Sequence, residues 1–185
     1  MGQDKGLILF QDKPLLIHVI ETVMDLVDEV ILVLRSKDQQ KSYEEIIEKF
    51  ELPDIRICLD EEEDQGPLMG IYCGLGCITS DEALIIPCDS PIISPTFINN
   101  IYKYYNLIYD AAVPEWPDGK LEPLHAIYNK RITGKIAEIL KNGLRDVQTL
   151  LMELDVRYIP VYSLDHSEKS FFNVNYPEDL EKLEE

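Results

Sequence analysis

The chain has 185 residues, 45% hydrophobic and 28% charged, a balance typical of a soluble globular protein. That length suits one α/β domain whose core needs no metal or disulfide staple. Its 17 basic and 35 acidic residues give a net charge of -18, a field that repels nucleic acid, anionic lipid and also a nucleoside triphosphate. Any phosphate site therefore needs a local cation. No apolar run approaches the ~20 residues of a membrane span. Met1 is followed at once by Gly2-Gln3-Asp4-Lys5, with no signal-peptide pattern, so the cytoplasm is the default location.

Residues 6 to 10 form a short apolar stretch. Pro14 then suits the first turn of a helix with Asp12 as its cap, and Leu16, Val19, Ile20, Val23 and Val27 recur at helical spacing. Residues 29 to 34, EVILVL, read as a strand buried on both faces. A helix over 43–50 and a strand over 55–59 follow, the strand ending at Asp60. An acidic run at 61–64 reads as a solvated loop and leads into Gly66-Pro67-Leu68-Met69-Gly70 and a small-residue helix reaching Thr79. ALIIPC, residues 83 to 88, is the most strand-like run and ends at Asp89-Ser90-Pro91.

Ser94-Pro95-Thr96 opens the next helix, to about Tyr105. The stretches 110–115 and 124–128, separated by Asp118-Gly119, read as a hairpin-like pair. Helices are expected over 132–141 and 146–154, a strand over 156–161, and a terminal helix opened by Pro177. Strands alternate with helices from Asp12 to about Tyr105, which implies parallel strands with right-handed crossovers and a doubly wound α/β sheet. Cys58, Cys73, Cys77 and Cys88 form no C-x-x-C pair and read as reduced structural cysteines.

In open α/β sheets, ligands bind outside the carboxyl ends of the strands. Asp60 and Asp89 both stand just past apolar strands, and magnesium takes one or two carboxylates with water and phosphate oxygens in its other positions. Read singly, each is better explained as a cap or a solvated loop residue; the pair in one sheet, with the features that follow, favours the ligand role. Gly66 and Gly70 permit close backbone approach at a helix start, a common feature of anion sites and of ordinary turns. Lys5, beside a glycine-containing loop, is a compact positive charge for phosphate oxygens. Asn173 and Asn175 read equally as turn residues or as ligand contacts. His125, on a strand, reads more simply as a packed residue than as a catalyst.

These fragments resemble a known family in chain order. MGQDK, residues 1–5, resembles the end of L-A-G-G-x-S-x-R-M-G-x-D-K, found in nucleotidyltransferases, and Lys13-Pro14-Leu15-Leu16 resembles the helix start that follows it. Gly66-Pro67-Leu68-Met69-Gly70-Ile71 resembles G-P-L-x-G-I, and Pro87-Cys88-Asp89-Ser90-Pro91 resembles P-C-D-x-P. Pro123-Leu124-His125-Ala126-Ile127-Tyr128 resembles P-L-x-A-x-Y, and residues 172–180 resemble F-x-N-x-N-T-P-E-D-L. The last two are specific to molybdenum cofactor guanylyltransferases.

The resemblance implies a single nucleotidyltransferase domain over residues 1–185, built on a three-layer, mostly parallel, nucleotide-diphospho-sugar transferase-like sheet. It implies transfer of GMP from GTP to the terminal phosphate of molybdopterin. Lys5 would contact the GTP phosphates, Asp60 the guanosine side, and Asp89 the Mg²⁺. Asn173, Asn175 and His125 would lie toward the pterin. Transient contact with other molybdenum cofactor proteins is also implied.

Two departures stand out. The family's first strand and its L-A-G-G-x-S-x-R turn would precede Met1, so the sheet is expected to lack its first strand. The family's Asn near Leu34 is absent, leaving use of CTP, or of another phosphorylated acceptor, as an alternative. A non-catalytic nucleotide-binding module on the same fold is the alternative from a different class.

Overall fold

The computed structural model describes residues 4–52, 54–60 and 66–182. Met1 to Gln3 of the first motif and the acidic run at 61–64 lie outside the described residues.

A 3-10 turn at Lys5–Leu7 leads into a small antiparallel hairpin of β1 (Leu9–Phe10) and β2 (Lys13–Pro14). Gln11 and Asp12 form its turn, with φ of 48° and 63°. Asp12 is therefore a turn residue and not the expected helix cap. Pro14 stands immediately before α1 (Leu15–Val23), which buries Leu16, Val19, Ile20 and Val23.

The parallel pair β3 (Val30–Leu34) and β4 (Ile55–Leu59) is joined by α2 (Lys37–Lys49). Helix α2 starts earlier than its apolar pattern indicates because the Ser36 hydroxyl accepts the Gln39 N–H as an N-cap. Helix α3 (Gly66–Cys77) opens at Gly66, whose φ of 74° is readily reached only without a side chain.

The larger sheet has the order β5-β7-β6-β8, from β5 (Glu82–Leu84), β6 (Ala111–Glu115), β7 (Ile127–Asn129) and β8 (Val156–Pro160). Only β7 opposes its neighbours, pairing antiparallel with both β5 and β6, while β6 and β8 are parallel. The sheet is thus mixed, with three of its four strands running the same way, and the break in the pattern falls in the segment expected to form a hairpin. The β5 ladder ends at Leu84, although Ile85 still donates its N–H to the Ala126 carbonyl.

The remaining helices are α4 (Pro95–Tyr104), α5 (Thr133–Lys141), α6 (Val147–Leu151), α7 (Val161–Leu164) and α8 (Pro177–Glu181). Side chains alternate between two helical layers with the period of 2 expected of strands. Ile31, Ala83, Ala111, Val113 and Tyr128 pack with residues of α3, α5 and α6. Val30, Leu84, Ala112 and Ile127 pack with residues of α1, α4 and α7. The expected three-layer arrangement follows directly from this alternation. No helix among the described residues is long and apolar enough to cross a membrane.

The cysteines depart from expectation. Cys58 on β4 and Cys77 at the end of α3 form a disulfide, their Cα atoms 6.6 Å apart, while Cys73 and Cys88 take no part in a disulfide. The pairing arises because α3 returns along β4, a proximity that the spacing of 19 residues does not display.

Candidate active site

Lys5 sits in the N-terminal turn, held in place by its neighbour Asp4. One Asp4 oxygen accepts the Gly6 N–H at 3.1 Å and the Tyr43 hydroxyl at 2.7 Å; the other accepts from Gln39 at 2.6 Å. Tyr43 is only 2% exposed, so α2 grips the turn from its buried side. Burial, and then donation to Asp4, push the Tyr43 phenol well above its ordinary pKa, which keeps it a donor. Gly6 is required by space here, because a Cβ on it would lie 2.4 Å from the Tyr43 oxygen.

Asp89 follows β5 in the stiff Pro87-Cys88-Asp89-Ser90-Pro91 turn, at the carboxyl end of that strand. Its side chain is 15% exposed, and Oδ2 accepts from Lys5 Nζ at 3.1 Å. The same ammonium donates to Asn175 Oδ1 at 2.8 Å. One lysine is therefore shared by a carboxylate and an amide from segments far apart in the chain. The neighbouring Cys88 thiol is pushed up to about 12 by burial and then by the Asp89 charge, so it stays protonated and offers no thiolate nucleophile.

The segment carrying Asn175 is fastened to the Asp89 turn. Val174 donates its N–H to the Asp89 carbonyl at 2.8 Å, and Ser90 Oγ donates to Asn173 Oδ1 at 2.5 Å. His125 Nε2 lies 3.0 Å from Ser90 Oγ. His125 is 1% exposed and packs against the Phe97 and Phe171 rings, with centroids at 6.3 and 5.3 Å. Burial lowers its pKa to about 4, with the Glu122 and Asp89 charges acting in the opposite direction. The imidazole is neutral and enclosed, so His125 is the packed residue that its place near a strand suggests, standing behind Ser90 and Asn173.

Lys5, Asp89 and Asn175 thus meet directly, and Asn173 and His125 meet through Ser90. Asp60 stands past the end of β4 on the separate parallel pair, its N–H bonded to the Leu34 carbonyl at 2.7 Å. Sequence reasoning missed Ser90, Asp4 and Tyr43 as parts of the site. Only Asp4 carried a signal, an aspartate two residues before a glycine in an Asx-type cap.

Among the described residues, no group of three or more His, Cys, Asp or Glu side chains is arranged to hold a resident metal ion. One strand-end carboxylate is nevertheless a suitable donor for a magnesium ion that arrives already bound to phosphate and water.

Residues 1–156 match the MobA-like NTP transferase domain. A probable molybdenum cofactor guanylyltransferase of Methanothermobacter thermautotrophicus is 37% identical over 97% of this chain and 90% of that protein. One from Methanosarcina mazei is 32% identical over 97% and 82%. Among solved structures, molybdopterin-guanine dinucleotide biosynthesis protein A from Archaeoglobus fulgidus has a TM-score of 0.82 at 24% identity, covering 98% of this chain and 89% of that one. A 4-diphosphocytidyl-2C-methyl-D-erythritol synthase from Anaerococcus prevotii has a TM-score of 0.72 at 16% identity, covering 98% and 94%. At these identities the structural likeness is one of fold.

Proposed function

We propose, for a chain that belongs to the MobA-like NTP transferase family, that it transfers GMP from GTP to the terminal phosphate of molybdopterin carrying molybdenum. A phosphate oxygen of the acceptor attacks the α-phosphorus of GTP, the bond to the β-phosphate oxygen breaks, and pyrophosphate leaves. The nucleophile is already ionised, so no general base is needed, and catalysis consists of positioning and charge neutralisation. The neutral, buried His125 and the protonated Cys88 are consistent with that economy.

In this reading Asp89 holds the Mg²⁺ that enters with GTP, and Lys5 binds the triphosphate oxygens. Asn175, with Asn173 behind it, faces the acceptor, and Asp60 lies toward the guanosine. The metal neutralises charge on the phosphates when bound. The observation that carries the reading is the shared ammonium: Lys5 spans 3.1 Å to Asp89 and 2.8 Å to Asn175. In a chain of net charge -18, it supplies the local cation that a triphosphate requires.

Thermal denaturation with nucleotide and Mg²⁺ tests this. A ligand at a hundred times its Kd stabilises the folded state by about 2.7 kcal/mol, a shift of several degrees for a chain of this size. GTP with Mg²⁺ should give that shift in the wild type and none in Asp89→Ala. Equal shifts in both would remove the metal role. A larger shift with CTP than with GTP would reject guanine as the base.

A further inference from the structure

Ser90 and His125 are 0% and 1% exposed, so neither touches a substrate. Yet they sit at the junction of the two segments that carry the exposed polar groups of the site. The first segment carries Asp89; the second carries Asn173 and Asn175. Three ties join them: the Val174 N–H to the Asp89 carbonyl, the Ser90 hydroxyl to Asn173, and the Lys5 ammonium to both Asp89 and Asn175. Of the three, the Ser90 tie is the one made by side chains without the lysine, and its serine end is fully buried. With the Val174 backbone bond it holds the second segment independently of a lysine that must also meet phosphate.

The protons specify this joint. A serine hydroxyl has one hydrogen and two lone pairs. Ser90 gives its hydrogen to Asn173 Oδ1 and so has only acceptor capacity left for His125. His125 must then present Nε2–H to Ser90. Its Nδ1 is buried 3.9 Å from Glu122 Oε2, with the Ser170 backbone also acting on the ring. The Phe97 and Phe171 rings keep the imidazole from turning away. Glu122 is itself held, accepting from Trp116 Nε1 at 2.8 Å and Lys120 Nζ at 2.7 Å.

We propose that Ser90 is a positioning residue: seated on His125, its hydroxyl fixes Asn173 and thereby the spacing between the Asp89 carboxylate and the Asn175 amide that Lys5 bridges. The proposal rests on the guanylyl-transfer reading for its kinetic consequence but not for its structural one. Removing the hydroxyl leaves the Asn173 oxygen and the His125 N–H without their partner, while the backbone tie at Val174 keeps the segment attached. The expected result is a folded protein whose Asp89 and Asn175 no longer hold one fixed separation.

The test uses the full chain as Ser90→Ala, Asn173→Ala and the double variant, together with Ser90→Cys, which keeps the volume with a weaker donor. Pyrophosphate release is followed with GTP, Mg²⁺ and molybdopterin. Each single alanine variant should lower kcat about tenfold and raise the KM for GTP. The double variant should be no worse than either, because both changes break one bond, and Ser90→Cys should fall between wild type and Ser90→Ala. In the ligand-free protein, Ser90→Ala should move the Asn175 side-chain amide resonance. Singles that multiply in the double variant, or unchanged kinetics with an unmoved Asn175 amide, would overturn the proposal. If Ser90→Ala does not fold, Asn173→Ala and Ser90→Cys carry the same comparison. A wild type that turns over no GTP, while Ser90→Ala still moves the Asn175 amide, would sink the guanylyl-transfer reading and leave the joint standing.

Discussion

Gly6 gives a stringent test of how the N-terminal turn is held. A methyl group there would lie 2.4 Å from the Tyr43 oxygen, roughly 1 Å inside ordinary contact. Tyr43 cannot retreat freely, because it is 2% exposed and its hydroxyl is bonded to Asp4 at 2.7 Å. Overpacking of this kind costs about 1–3 kcal/mol, and a hydrogen bond to a charged group is worth about 1.5–3 kcal/mol. Gly6→Ala should therefore destabilise by about 2–4 kcal/mol in urea denaturation. Tyr43→Phe removes the offending oxygen and leaves Cζ at 3.4 Å, an ordinary contact. Gly6→Ala placed in a Tyr43→Phe background should then cost about 1–2 kcal/mol less than it does in the wild type. The same cycle in GTP titrations should show Lys5 misplaced in Gly6→Ala and partly restored in the double variant. A Gly6→Ala protein within about 0.5 kcal/mol of wild type, or strictly additive costs, would refute the account of a turn held by Tyr43.

Lys5→Met should weaken GTP binding by about ten- to a hundredfold, the worth of a charge-assisted bond. It should change stability by less than about 1 kcal/mol, since the ion pair with Asp89 is partly exposed; isothermal titration and urea curves separate the two effects. Glu29 ties the start of β3 to the end of α3. Its Oε1 accepts the N–H groups of Thr79 and Ser80 at 2.7 and 3.1 Å, and Oε2 pairs with Arg56. Burial pushes its pKa up, but these donors outweigh it and bring the carboxyl from 4.5 down to about 2. A lowered folded-state pKa means that the contribution is complete above pH 4.5 and is lost as pH falls toward 2. Glu29→Gln should cost roughly 1–2 kcal/mol at pH 7, after allowance for solvent screening, with the gap to wild type closing toward pH 2; a gap independent of pH would contradict this. Alkylation of the denatured protein without reductant should label two of the four cysteines, and all four after reduction.

Lys5, Asp89 and Asn175 were legible because each lies in a short motif that resembles the family's, and the apolar run before Asp89 marked a strand leading toward it, although β5 itself ends at Leu84. What brings them together could not be read, because the Lys5 contacts join residues 84 and 170 positions apart. The link between Ser90 and His125 was hidden for the same reason: a serine in a turn and a packed histidine near a strand acquire a joint meaning only when folding places them 3.0 Å apart. Asp12 was misread because its helix-capping pattern is also that of a left-handed hairpin turn, and the pairing of β1 with β2 decides between them. Tyr43 looked like one apolar position on an amphipathic helix, and nothing local announced a hydroxyl aimed at Asp4. The disulfide depends on how α3 lies against β4, a tertiary fact that cysteine spacing does not encode.

The bridge from Lys5 to Asp89 and Asn175 makes the site a test of completion. Its three groups come from the first, middle and last portions of the chain, so a nascent polypeptide emerging from its amino end has two of the three long before the third exists. The site can close only after the Asn173–Asn175 segment has been made and docked on the Asp89 turn. Trimming the chain before Asn173 should spare most of the layered core and still abolish ligand binding. Nucleotide binding thus reports, in one measurement, that the Asn173–Asn175 segment has docked on the Asp89 turn and met Lys5.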